Sequence, residues 1–138
     1  MVYKVLADST IALHFFWIVF ILWGFFLTVR ALVSKRYRPF FNRWLFRSIH
    51  LGGILFVATL GLFGQDCPLT NVENALRFKA DPSSTYTGSF IGHYLENLVY
   101  LPVNVLVLRS AAAGIALFTL VTYFALPPWR KRGEQARN

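Results

Sequence analysis

The sequence is poor in the residues that soluble proteins use for cross-linking and for solvation. It has a single cysteine, Cys67, so no disulfide can form within the chain. It contains no CxxC, CxxCH or HExxH pattern, which leaves covalent haem attachment and a zinc protease site without support. Only 14% of the residues are charged, whereas soluble domains have roughly 25%. A soluble globular domain is therefore disfavoured.

Acidic residues are also scarce. The chain has 14 lysines and arginines against 6 aspartates and glutamates, a net charge of +8. In a soluble protein this balance would suggest a nucleic-acid partner. Here 56% of the residues are hydrophobic, and the basic residues flank apolar runs. This arrangement favours a lipid bilayer as the partner and argues against nucleic acid.

Three uncharged runs are long enough to cross a bilayer. They cover residues 11–29, 48–65 and 110–129, each 18 to 20 residues long, and about 20 helical residues span the ~30 Å hydrocarbon layer. The first run has no basic segment before it and no A-x-A cleavage site, so we interpret it as a retained span. The sequence predicts one all-α integral membrane domain over residues 1–138, with an outer-face segment at 66–109.

The basic residues predict how the spans are oriented. The link between the first two spans carries Arg30, Lys35, Arg36, Arg38, Arg43 and Arg47, and the tail carries Arg130, Lys131, Arg132 and Arg137. The stretch from Asp66 to Glu96 holds two basic and four acidic residues. The positive-inside rule therefore predicts an outer N-terminus, a cytoplasmic C-terminus and a central segment on the outer face.

The central segment allows two arrangements. Residues 90–108 are mostly apolar but contain His93, Glu96 and Pro102, so we expect a helix at the outer interface rather than a crossing. The alternative is a fourth span, which would move the basic tail outside. The first arrangement predicts three spans with one or two short interfacial helices.

The predicted topology collects a set of polar residues that are distant in sequence on the outer side. They are Asp66, Cys67, Glu73, Asn74, Arg77, His93, Glu96 and Arg109, with Asp8 and His14 near the outer end of the first span. Local signals also predict helix caps there. Thr70 and Glu73 fit a capping box, Asp81 begins a turn, and Ser89 can cap a helix from Phe90.

The histidines give the sharpest site hypothesis, since a histidine within a membrane span is costly and often functional. His14 and His93 could together ligate a b-type haem, supported by Glu96, Arg109 and Cys67. His50 belongs to the inner end of the second span, roughly 20 Å from His14. We predict no other metal site. The alternatives are that each histidine hydrogen-bonds a neighbouring helix and that Cys67 is a small packed residue.

Small residues predict where helices pack. Ser110-xxx-Gly114 gives the third span a face that another backbone can approach closely, as do Gly53 and Gly61 in the second. The first span is aromatic nearly all round. Because three spans make a thin bundle, we expect self-association or a place in a larger membrane complex.

Several motifs resemble a bacterial family of small membrane proteins known only as a domain of unknown function. They are CPLT (67–70), ENALR (73–77), YTGSFIGHYLENLVY (86–100), ALHFFWIVF (12–20) and SIHLGG (48–53). The resemblance covers roughly residues 5–126 and implies a bacterial inner-membrane protein, without an activity to transfer. The link RALVSKRYRPFFNRWLFR has a higher content of basic and aromatic residues than the family pattern implies, and it could bind anionic lipid or a partner.

Three functional hypotheses follow. The leading one is a non-catalytic accessory or structural subunit that packs against a larger complex or its own copies. The alternative is a redox or proton-handling protein that binds haem or serves a quinone at its outer face. A third is an enzyme or carrier for lipid head groups, with Arg77, Lys79 and Arg109 as anion contacts.

Overall fold

The computed structural model describes residues 1–34, 37, 43–99 and 104–126. Within these ranges the chain forms five α-helices and one short 3₁₀ helix, with no strand. The helices are α1 (Val2–Val33), α2 (Trp44–Leu62), α3 (Pro68–Ala80), α4 (Phe90–Val99) and α5 (Val105–Ala125), and the 3₁₀ helix is Pro82–Ser84. The prediction of an all-α protein is confirmed.

Three of these helices, α1, α2 and α5, are long and apolar enough to cross a membrane, which confirms the predicted number of spans. Their bounds differ from the apolar runs. With 32 residues, α1 is about 48 Å long, well beyond the ~30 Å hydrocarbon layer. Its excess length lies mainly at the N-terminal end, before residue 11. The Pro127-Pro128-Trp129 end of the third apolar run, the basic tail and most of the basic link lie outside the described residues.

Within the described residues, the start of the fourth apolar stretch forms a helix that is too short to span. α4 has ten residues, about 15 Å of helix, half of what a crossing needs. Residues 100–103, including the predicted break at Pro102, lie outside the described residues. The described helix therefore agrees with an interfacial segment rather than a fourth crossing.

The capping box predicted at Thr70 is wrong. α3 begins at Pro68, with Cys67 as its N-cap residue and no side-chain capping bond. Proline suits the first helical position because its fixed φ matches the helix and its missing N–H is not needed there. The helix therefore starts earlier than the Thr70–Glu73 pattern indicated, and Glu73 turns to partners elsewhere.

The other two predicted local signals are confirmed. The Asp81 carboxylate accepts a hydrogen bond from the backbone N–H of Ser83 at 3.0 Å, which begins the 3₁₀ helix. The backbone N–H of Gly92 donates to Ser89 Oγ at 3.1 Å and caps the start of α4. Polar side chains thus close the turns that connect α3 to α4.

A histidine joins α1 to α2 in the middle of the bundle. His50 is 2% exposed, and its Nε2 lies 2.9 Å from the carbonyl oxygen of Ile21. Ile21 is seven residues, about 10 Å of helix, from His14. His50 therefore contacts α1 at a point closer to His14 than the roughly 20 Å that the sequence predicted. The reason is that α2 begins four residues before the predicted span, which places His50 deeper in the bundle. A hydrogen bond to a neighbouring helix was one of the alternatives for each histidine, and His50 has it.

An arginine joins α2 to α5 at the opposite end from α3 and α4. Arg47 is 5% exposed and donates to the carbonyl oxygens of Thr122, at 2.9 Å, and Leu126. Its guanidinium also lies over the Tyr123 ring, 5.1 Å from the centroid. A cation is favourable at a helix C-terminus, where the last carbonyls lack partners. Arg47 thus caps α5, whereas the sequence showed only a basic residue of the link.

The contact between α1 and α2 requires glycine at position 24. A Cβ atom built on Gly24 would clash with the His50 ring, and neither backbone can retreat without losing the His50–Ile21 hydrogen bond. We expect Gly24→Ala to lower the free energy of unfolding by about 1–3 kcal/mol, as overpacking does elsewhere. Thermal unfolding of the detergent-solubilised protein, followed by circular dichroism, measures this.

Gly52→Ala is the matched control, because nothing lies within 4 Å of a Cβ built at that exposed glycine of α2. Its melting temperature should equal or slightly exceed that of the wild type, since alanine favours helix. Equal melting temperatures for the two variants would contradict the packing role of Gly24.

Candidate functional site

The polar residues of the outer segment are positioned by the N-terminal part of α1. α1 packs most extensively against α3, and Ala7 is 3% exposed. Nearby, the ammonium of Lys79 lies 5.5 Å from the centroid of the Tyr3 ring. The outer layer therefore rests on a part of α1 that the first apolar run did not include.

Glu73 is the centre of this layer. Its side chain is 0% exposed, and each carboxylate oxygen has partners. Oε1 accepts from Arg77 Nε at 2.8 Å and from the Tyr94 hydroxyl at 2.9 Å, and Oε2 accepts from the Tyr86 hydroxyl at 3.0 Å. A buried carboxylate is tolerated only with such partners. We call Glu73, Arg77, Tyr86 and Tyr94 the Glu73 cluster.

Further contacts fix the segment that carries Tyr86. The amide side chain of Asn74 donates to the Tyr86 carbonyl oxygen at 3.0 Å and accepts from the Tyr86 N–H at 3.1 Å. The ring of His93 stacks on the Tyr86 ring with centroids 3.8 Å apart. Arg77 also donates to the Ser84 carbonyl oxygen at 3.3 Å and to the Tyr94 hydroxyl at 2.6 Å. The cluster thus holds α4, and the segment between α3 and α4 (residues 81–89), against α3.

The electrostatics of the cluster favour one protonation pattern. Burial and the hydrogen bond to Glu73 raise the pKa of Tyr94 to about 12, and burial followed by the charge of Glu73 raises the pKa of Tyr86 above its ordinary value. Burial and the positive charge of Arg77 lower the pKa of His93. Burial alone would lower the pKa of Arg77, but its hydrogen bond to Glu73 raises it overall. The tyrosines are therefore donors, and neutral His93 is favoured.

A second group of polar residues lines a cavity of about 140 Å³ between α1, α2, α3, α4 and α5, at the end of the bundle where α3 lies. His14 and Thr70 are 5% and 1% exposed, and His14 Nδ1 and Thr70 Oγ1 have no hydrogen-bond partner in the described structure. Asp66, Cys67 and Arg109 also line the cavity. The His14 ring packs on Phe90, with centroids 4.1 Å apart. We call this the His14 cavity.

The predicted outer-face residues thus divide between two places. His14, Cys67 and Arg109 line the His14 cavity, while Glu73, Asn74, Arg77 and His93 belong to or surround the Glu73 cluster. Glu96 is exposed on α4 and Asp8 is exposed on α1. His93 is not part of the cavity lining. The structure does not bring the two proposed haem ligands into one cavity, and the haem hypothesis stays a prediction.

Sequence reasoning missed Tyr86, Tyr94 and Thr70. A buried tyrosine hydroxyl needs an acceptor, and Glu73 lies 13 residues from Tyr86 and 21 from Tyr94. Nothing in those separations marks a pair in a single sequence. Thr70 was assigned a capping role that Pro68 makes unnecessary.

What the Glu73 cluster can do chemically follows from its bonds. Three donors hold the carboxylate, Arg77 and Tyr94 on Oε1 and Tyr86 on Oε2, and its complete burial keeps a substrate from reaching it in this structure. The cluster is a structural joint. The His14 cavity, by contrast, has polar groups with hydrogen-bonding capacity to spare.

Replacing the central carboxylate tests this structural role. Glu73→Gln keeps the size of the side chain but removes the ion pair with Arg77 and turns an amide N–H₂ toward groups that donate. We expect a loss of about 3 kcal/mol in the free energy of unfolding, typical of breaking one partner of a buried pair. Chemical unfolding in detergent gives this value. Glu96→Gln, at an exposed position of α4, should change it by less than about 1 kcal/mol; similar losses in both variants would show that Glu73 has no special role.

Comparison with known proteins gives one match. The family described as Protein of Unknown function (DUF2784) matches residues 4–128. No curated protein and no solved structure matches the chain. The match covers nearly all of the described residues, from the start of α1 to the end of α5, and agrees with the resemblance carried by the CPLT and GSFIGHYL motifs. The chain therefore belongs to the DUF2784 family of unknown function, as a member with three helices long and apolar enough to cross a membrane.

Proposed function

We propose that this protein is a non-catalytic accessory subunit of the bacterial inner membrane that associates with its own copies or a larger membrane complex through α5. The observation that carries the proposal is the exposed small-residue face of α5. Ser110, Ala111 and Gly114 are exposed, and nothing lies within 4 Å of a Cβ built on Gly114. A second helix can approach the backbone closely at such a face.

The same face continues toward the other end of the helix. Leu117, Val121 and Phe124 follow at helical spacing and are 63%, 57% and 66% exposed. Together they form a stripe with small residues at one end and large apolar ones at the other. Lipid tails pack well against large apolar side chains, but small residues offer them little surface to contact. The stripe therefore favours a helical partner.

The saturated Glu73 carboxylate supports a non-catalytic role, since it is satisfied within the chain. The haem alternative rests on His14, whose Nδ1 has no partner in the described structure; its proposed second ligand, His93, does not line the same cavity. A Soret band in the absorption spectrum of the purified protein would support it.

Closing the α5 face tests the association. We expect Gly114→Ile to convert the native assembly, solubilised in a mild detergent, to monomers, because the branched side chain holds the second helix away. Native mass spectrometry reports the change. Gly52→Ile is the matched control, since nothing lies within 4 Å of a Cβ at that exposed glycine of α2 either, and it should leave the assembly intact. A wild-type protein that is purified only as a monomer would contradict the proposal.

The proposed orientation puts α3, α4 and the N-terminus on the outer side. It is supported by Arg30, Arg43 and Arg47, which occupy the opposite end of the bundle, whereas every acidic residue of the described chain belongs to the outer end. Cys67, which is partly exposed, should react with a membrane-impermeant thiol reagent in intact spheroplasts. Val33→Cys in a Cys67→Ser background, at an exposed site at the other end of α1, should react only after permeabilisation. The reverse pattern would overturn the orientation.

A further inference from the structure

The His14 cavity has unused hydrogen-bonding capacity in a buried place. His14 Nδ1 and Thr70 Oγ1 come from different helices, line the same cavity and lack partners in the described structure. A buried polar atom without a partner costs free energy, so native proteins seldom leave one unpaired. Here two such atoms share one cavity, which is typical of a place that receives a polar group from outside the chain.

The charges around the cavity favour an anionic group. Arg109 lines it and makes no hydrogen bond or ion pair with the described residues. The N-terminus of α3, with Cys67 as N-cap residue and no side-chain cap, adjoins the same space and contributes a positive dipole end. Asp66 also lines the cavity and offsets part of this charge. Recognition would therefore depend on directed hydrogen bonds from Arg109, Thr70 and His14 more than on net charge.

Most of the remaining walls are apolar, and Gln65 and Ser89 are the other polar residues of the lining. Val57 and Leu60 of α2 and Val105, Leu108 and Ala112 of α5 line the cavity together with Ile91 of α4. These residues belong to the outer ends of the spanning helices, where the hydrocarbon layer meets the head groups under the proposed orientation. A cavity with polar groups at one side and lipid-facing apolar walls at the other fits an amphiphile better than a small soluble ion.

We propose that the His14 cavity binds the phosphate group of a membrane phospholipid. The Arg109 guanidinium and the Thr70 hydroxyl donate to phosphate oxygens, and His14 does so in the tautomer that carries a proton on Nδ1. The start of an acyl chain lies between α2 and α5 along Val57, Leu108 and Ala112. The outer segment of the protein then holds one lipid in a fixed place.

Lipid retention by the whole protein tests this. The detergent-solubilised protein is equilibrated with phosphatidylglycerol or with diacylglycerol of the same acyl chains, and bound lipid is measured by native mass spectrometry. We expect phosphatidylglycerol to be retained at least about tenfold more strongly, since hydrogen bonds to a charged group are worth this much. Equal retention of the two lipids would overturn the proposal, because they differ only in the phosphoglycerol head group that carries the phosphate.

Variants locate the site. Arg109→Gln should lower phosphatidylglycerol retention about tenfold, and Thr70→Val, which preserves the side-chain shape, about threefold. Lys79→Gln is the control: it removes one positive charge from the outer segment, but Lys79 lies over Tyr3 and does not line the cavity. It should retain lipid like the wild type. Should Arg109→Gln fail to fold, Thr70→Val alone decides, and wild-type retention in that variant would overturn the assignment.

Two further measurements separate other ligands. Inorganic phosphate, added at the same concentration as the lipid, should not displace it; complete displacement would assign the cavity to free phosphate instead. A Soret band in the same preparation would assign His14 to haem and likewise overturn the proposal. None of these outcomes involves the α5 face. The accessory-subunit proposal can therefore fail while the lipid proposal holds, and the lipid proposal can fail while the accessory-subunit proposal holds.

Discussion

The end of the protein formed by α3 and α4 depends on one buried carboxylate. Glu73 has no exposed surface, and its two oxygens accept from Arg77, Tyr86 and Tyr94. A carboxylate removed from water needs such partners to remain charged. Because the three donors come from α3, the connection and α4, satisfying Glu73 folds a polar stretch of chain into a fixed layer. The neighbouring cavity inherits its shape from that layer through Phe90, which packs between His14 and Tyr94.

The spanning part follows a different rule. Between the lipid-facing side chains, the helices are joined by a few polar contacts at defined depths: His50 to the Ile21 carbonyl near the middle and Arg47 to the last carbonyls of α5 at one end. Both groups form hydrogen bonds to backbone carbonyls, and the Arg47 guanidinium also lies over the Tyr123 ring. In a medium without water, backbone carbonyls are dependable acceptors, since they are always present. Glycine at position 24 then provides the space that such a contact needs.

The sequence predicted those features that arise from composition and from neighbouring residues. The uncharged runs predicted the three long apolar helices. Asp81 and Ser89 predicted the caps of the 3₁₀ helix and of α4. The ends of the helices were less predictable. α3 begins at Pro68, before the predicted cap at Thr70. α1 begins at Val2 because a helix can continue through the polar residues before position 11, which the search for an apolar run leaves out. The sequence predicted which polar residues lie at the same end of the bundle. It did not predict which of them contact one another. Glu73 and Tyr94 are 21 residues apart, and their meeting depends on a turn whose geometry no local pattern specifies. His14 was identified for its cost within a span, and the structure adds Thr70 beside it.

The cap that Arg47 places on α5 bears on how the protein is made. Synthesis proceeds from the N-terminus, so α1 and α2 enter the bilayer as a hairpin before the carbonyl oxygens of Thr122 and Leu126 exist. Until the last helix arrives, the Arg47 guanidinium must be solvated by water and lipid head groups at the cytoplasmic boundary under the proposed orientation. Arrival of α5 replaces that solvation with two fixed carbonyls and anchors the C-terminal helix from its far end. The hydrogen bonds between Arg47 and α5 can therefore form only after the chain has been synthesised as far as Leu126.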